Sequence, residues 1–137
     1  MPKKAKRATN RRTENQRSGS PPRVQFRATL DRHSVELLWG ISRRLEQKRS
    51  TAISQLILSL KKNKKLSAQL AQFYVKTWPD LEPRRIEDAR LFNWPLEVDE
   101  ALRRLSWDAI GTGNKSETLR VIIAFFAKHY NVTAKPE

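Results

Sequence analysis

The chain contains no cysteine. Disulfides, thiolate-bound metals and cysteine nucleophiles are therefore excluded, and the composition is compatible with a reducing compartment. Histidine is nearly absent: His33 and His129 are the only two, too few for a histidine-rich metal site. No apolar run approaches a membrane span, and no signal-peptide apolar stretch follows the basic start. A cytoplasmic protein without membrane association is expected. Acid is scarce as well. Fourteen acidic residues against 28 basic ones leave a net charge of +14, which points to a polyanionic partner, most often nucleic acid. Asp80, Glu82, Glu87 and Asp88 fall in a connector with no partner histidine and no glycine-rich phosphate loop. The chain is therefore not expected to be an enzyme, nor to carry a metal or cofactor.

What is present is segmented. Lys3, Lys4, Lys6, Arg7, Arg11, Arg12 and Arg17 stand against Glu14 alone, seven positive charges less one negative. Residues 1–22, closed by Ser18–Pro22, read as a disordered basic arm. The pattern then switches to period two. In 23–30 every even position (Val24, Phe26, Ala28, Leu30) is apolar and every odd one polar, a half-buried strand with one wet face. Asp31 and Ser34 signal a helix start, and Val35, Leu38, Ile41, Ser42 and Leu45 keep helical spacing. A turn is expected near Gln47–Arg49. Ser50 and Thr51 are placed to cap a second helix with Ile53, Leu56, Ile57 and Leu60 on its inner face. After the lysine-rich 61–65, Leu66, Leu70, Phe73 and Tyr74 predict a helical extension, broken by 77–83 with its two prolines. Residues 84–89 are expected to connect.

A second, less regular copy follows. Arg90–Trp94 reads as a short strand with Phe92 and Trp94 inward, and Pro95 suits a first helical position. Val98, Leu102, Leu105 and Ser106 match Ser34, Leu38, Ile41 and Ser42 at an offset of 64. That helix is expected to end near Gly111-Thr112-Gly113, with Asn114 capping the next. Arg49, Ser50, Ile53, Leu56, Ile57 and Leu60 recur as Lys115, Ser116, Leu119, Ile122, Ile123 and Phe126, 66 positions later. One strand–helix–helix unit cannot bury its apolar face alone. Two can, by pairing their strands into a ribbon and packing their helices around those second-helix residues. Trp39, Trp94 and Trp107, at helical or strand spacing, are expected in the core.

These residues resemble the ribbon-helix-helix family of DNA-binding proteins. Phe92-Asn93-Trp94-Pro95-Leu96-Glu97-Val98, followed by Asn114-Lys115-Ser116-Glu117 ahead of an apolar helix, looks like the Arc repressor type. Arg49-Ser50 and Lys115-Ser116 match the basic-serine opening of the family's second helix. Tandem copies in one chain resemble the TraY-like relaxosome accessory proteins of conjugation and the VirC-operon accessory proteins of T-DNA transfer. The resemblance implies a mainly α fold: a single-chain pseudo-dimer with one two-stranded antiparallel ribbon and four core helices. It divides the chain into the arm at 1–22, repeat 1 at 23–60, an extension and connector at 61–89, repeat 2 at 90–130 and a tail at 131–137. A monomer is expected, because the partner unit is already attached.

By the family pattern the outward strand residues enter the major groove. Arginine forks onto guanine and glutamine or asparagine onto adenine, while apolar groups meet the thymine methyl. Base readout is thus assigned to Gln25, Arg27, Thr29, Leu91 and Asn93, with fewer donors on the second strand and an asymmetric site. Phosphate contacts are assigned to Arg23 and to the helix starts Arg49, Ser50, Thr51, Asn114, Lys115 and Ser116, where free N–H groups and the dipole favour anions. Three binding roles remain open on these residues. The chain could serve as a DNA-binding accessory of conjugative or T-DNA-type transfer, acting with a relaxase or other transfer proteins. It could be a transcriptional repressor or antitoxin-like regulator. Or it could be a basic protein-binding scaffold.

Overall fold

The computed structural model describes residues 22–81 and 86–133. The expected arm at 1–21, part of the connector at 82–85 and the tail at 134–137 lie outside the described residues. The elements run β1 (Arg23–Asp31), α1 (Arg32–Leu45), α2 (Arg49–Lys62), α3 (Lys64–Lys76), a 3₁₀ turn (Trp78–Leu81), β2 (Ile86–Pro95), α4 (Leu96–Leu105), a widened helical turn (Ser106–Ile110) and α5 (Lys115–His129). Among the described residues the chain is mainly helical, with five α-helices and one two-stranded antiparallel sheet.

Period-two patterning sets the faces of the sheet. Arg23, Gln25, Arg27 and Thr29 are exposed on β1, whereas Ala28 and Leu30 are fully buried and Val24 and Phe26 partly so. The strands pair with Gln25 opposite Asn93, Arg27 opposite Leu91 and Thr29 opposite Ala89, and the register shifts only at Leu30/Asp31. β2 is longer than the expected Arg90–Trp94 and takes in 86–89, which the sequence placed in a connector. The nine residues of β1 supply the reason, since its backbone groups need partners along the whole strand. Pro95 closes β2 with φ −59° and ψ 151° and caps α4 instead of forming its first residue.

Caps define the remaining boundaries. Asp31 caps α1, accepting from the Ser34 hydroxyl at 2.6 Å and more weakly from its N–H. Glu46 ends α1 in a left-handed conformation (φ 57°). Asn63 both terminates α2 and caps α3 through Leu66 N–H at 3.1 Å, so the lysine-rich stretch divides two helices. Asn114 caps α5, accepting from Glu117 N–H at 2.9 Å. The expected side-chain caps of α2 are absent. Its cap is Lys48, which makes no side-chain cap bond, and Ser50 and Thr51 lie inside the first turn.

The core forms where the repeats predicted it. Ile53, Leu56, Ile57, Leu60, Leu119, Ile122, Ile123 and Phe126 are all buried. The ribbon floors this core with Phe92, Phe26 and the fully buried Trp94. The Trp94 ring stacks on Phe92 at 5.2 Å and on Phe26 at 5.9 Å. Two tryptophans correct the sequence reading. Trp39 is 44% and Trp107 59% exposed, while Trp78, beside the proline break, is buried. Trp39 sits one residue past Leu38 on α1, about 100° around the helix from that core position. Trp107 sits in the widened turn, where the helical phase slips.

Candidate nucleic-acid interface

One face of the ribbon gathers every residue assigned to base readout. Gln25, Arg27 and Thr29 on β1 and Ala89, Leu91 and Asn93 on β2 are exposed together, in three facing pairs. Arg23 extends this face at one end, and none of these seven outward residues is acidic. Cross-strand neighbours lie about 5 Å apart, so the six side chains make a patch narrow enough for a groove about 12 Å wide.

Arg23, assigned to phosphate, turns onto the ribbon. Its Nε donates to Asn93 Oδ1 at 2.9 Å and its Nη2 to the Asn93 carbonyl at 2.8 Å. Gln25, facing Asn93, makes no side-chain hydrogen bond among the described residues. Thr29 is held through its main chain. Its N–H donates to Ser116 Oγ at 3.0 Å and its carbonyl accepts from Arg120 Nη1 at 2.7 Å. Ser116 thus fastens the start of α5 to β1. Arg120, buried at 7% exposure, carries no periodic signal, because it interrupts an apolar run between Leu119 and Val121.

The two helix starts differ. At α2, the half-buried Arg49 stacks its guanidinium 4.2 Å above the exposed Trp39 ring, a cation–π contact that holds it in place. No acidic residue lies in the first turn of α2, and Ser50 is half-buried there beside the exposed Thr51. Arg49, Ser50 and Ala89–Phe92 of β2 line one cleft. At α5, by contrast, Lys115 turns inward. Its Nζ pairs with Asp99 Oδ1 at 2.7 Å and lies 4.4 Å above the Phe26 ring. Glu117 occupies the first turn of α5 and accepts from Thr112 Oγ1 at 3.1 Å and Tyr74 Oη at 3.2 Å. Burial and the Glu117 carboxylate push the Tyr74 phenol above its ordinary value. Sequence reasoning placed Lys115 on phosphate, but its charge is already matched. Asp99, 16 residues away, gave no sequence signal for the pair.

The Lys115–Asp99 pair is a structural contact with a measurable signature. Asp99 also accepts from Trp94 Nε1 at 3.4 Å, and both partners are mostly shielded from water. Asp99→Ala strands a cation against Phe26 and is expected to cost about 2–3 kcal/mol in urea unfolding. Asp99→Ala with Lys115→Met removes the stranded charge and is expected to recover at least half of that loss. A double variant no more stable than Asp99→Ala would show that the pair is not coupled.

The lysines at 61, 62, 64 and 65 are exposed. Lys61 reaches Glu97 at 3.4 Å, a solvent-screened pair of little stabilising value. Among the described residues no helix is long and apolar enough to cross a membrane. No family model, no curated protein and no solved structure matches the chain.

Proposed function

We propose that the chain binds double-stranded DNA sequence-specifically, laying its ribbon in the major groove as a single-chain pseudo-dimer of the ribbon-helix-helix type. The observation that carries this reading is the strand register. Arg27 pairs with Leu91, 64 positions on, and 64 is also the offset that relates α1, starting at Arg32, to α4, starting at Leu96. In an antiparallel ribbon with a two-fold axis through its centre, the central residue must face its own counterpart. The same offset relates Ser42 to Ser106, each donating to the carbonyl three residues back (3.2 and 2.6 Å).

On this reading Arg27, Gln25, Thr29, Leu91 and Asn93 meet base edges, while Arg49, Ser50 and Thr51 with the α2 dipole hold a phosphate. The working unit is one chain. The tandem arrangement supports a role as an accessory of conjugative or T-DNA-type transfer, with a relaxase as a protein partner. Selection of the full chain against a random duplex pool at near-physiological salt tests the reading. An enriched motif with a stronger half is expected. Binding without enrichment would leave electrostatic contact alone and return the ribbon to a scaffold role.

A further inference from the structure

The geometry points to Arg23 as a positioning residue that decides which base Asn93 selects, turning an adenine reader into a guanine reader. This rests on the DNA-reading function proposed above. Asn93 and Gln25 face each other on the exposed ribbon and carry the same carboxamide, yet their environments differ. The Arg23 guanidinium grips Asn93 twice, through Nε to Oδ1 at 2.9 Å and through Nη2 to the main-chain carbonyl at 2.8 Å. Arginine has donors and no acceptor, so the amide atom facing it must be the oxygen. The chelate therefore fixes both the rotation of the Asn93 amide and its flip.

An amide recognises adenine by accepting from N6–H with its oxygen while donating to N7 with its nitrogen. At Asn93 the oxygen is engaged by Arg23, and the Nδ2 donors are the half of the amide that makes no hydrogen bond among the described residues. Free donors require acceptors on the base edge. Guanine presents two adjacent ones, N7 and O6, whereas thymine offers O4 alone. Adenine places a donor beside N7, and cytosine offers a donor only. The expected order at this position is guanine first, then thymine, with adenine disfavoured and cytosine excluded. Gln25, whose amide makes no hydrogen bond among the described residues, keeps both halves and selects adenine. Two facing amides thereby read different bases.

Selection with the full chain, run in parallel on Asn93→Ala, Arg23→Met and Arg23→Lys, tests this. Asn93→Ala flattens one position of the motif and so identifies it. In the unaltered protein that position is guanine. Arg23→Met frees the amide and shifts the guanine-to-adenine ratio there about tenfold toward adenine, leaving the other positions unchanged. Arg23→Lys keeps guanine, because an ammonium also donates to Oδ1. A purely structural Arg23 would lower affinity at every position without changing the base. Adenine in the unaltered protein, or guanine retained by Arg23→Met, overturns the inference while leaving the DNA-reading function in place. No enriched motif in the unaltered protein overturns that function and the inference with it.

Discussion

Replacing Arg27 with alanine is expected to lower affinity for the selected site about a hundredfold while changing affinity for unrelated duplex DNA by less than about threefold. Arg27 stands at the centre of the ribbon, exposed, with the apolar Leu91 opposite. Under the proposed function a guanidinium so placed faces the groove floor, not the phosphate rim, and its fork fits guanine O6 and N7 there. Only one such group occupies the centre, since its repeat counterpart is leucine. The loss should therefore fall at one base pair, and a site with that pair substituted should bind both proteins alike. Anisotropy titrations at two salt concentrations separate this from a phosphate contact. Arg27→Ala should leave the salt slope nearly unchanged, whereas Arg49→Ala should weaken all sequences together and flatten the slope by about one unit. Equal losses on selected and unrelated DNA for Arg27→Ala would make it a general cation and remove the basis for readout.

That contrast follows from how the two ends of the ribbon are furnished. The strand richer in hydrogen-bonding groups, β1, lies against the start of α5, where Ser116 holds Thr29 and the charges of Lys115 and Glu117 are engaged within the protein. The poorer strand, β2, lies against the start of α2, where Arg49 is braced on Trp39 and the first helical turn carries no acidic residue. Under the proposed function, base reading and backbone anchoring are thus divided between the two sides. A two-fold homodimer would carry both in equal measure on each side. The bound site should be correspondingly asymmetric, with sequence information concentrated under β1.

The strand faces were legible because a period of two leaves little choice: one residue of slip would expose Phe26 and Leu30. The core was legible because the same apolar spacing occurs twice, and Asp31 and Asn114 carry the chemistry of a cap in their side chains. Contacts that bridge elements were not legible. Arg23 meets Asn93 only once the register is set, and Lys115 meets Asp99 only once α4 and α5 pack. The first four residues of β2 were hidden because 86–89 mix apolar and acidic residues without alternation, and their strand conformation comes from the partner. Trp94 is buried as expected, whereas Trp39 and Trp107 failed as guides for a related reason. A bulky aromatic near an apolar stripe signals burial only if it falls within it, and Trp39 lies just outside.

The tryptophans also provide the largest expected effect on stability. Trp94→Ala should cost about 3–5 kcal/mol, a large part of the roughly 5–15 kcal/mol that holds a domain of this size folded. It should lower the melting temperature by about 10–25 °C. The ring is fully buried between Phe92 and Phe26, and its Nε1–H meets Asp99, the carboxylate that also neutralises Lys115. Removing it opens a cavity where the ribbon joins the helices and loosens the Asp99 side chain, which meets both Trp94 of β2 and Lys115 at the start of α5. Trp39→Ala should cost less than about 1 kcal/mol in stability, because a ring 44% exposed gives up little buried area beyond its stack with Arg49. It should still weaken DNA binding by freeing that guanidinium. Melting curves of the two variants, read beside their affinities, separate fold from the proposed function: Trp94 is expected to act through the core, and Trp39 through the cation it holds. Equal destabilisation by both would contradict the burial that sets them apart.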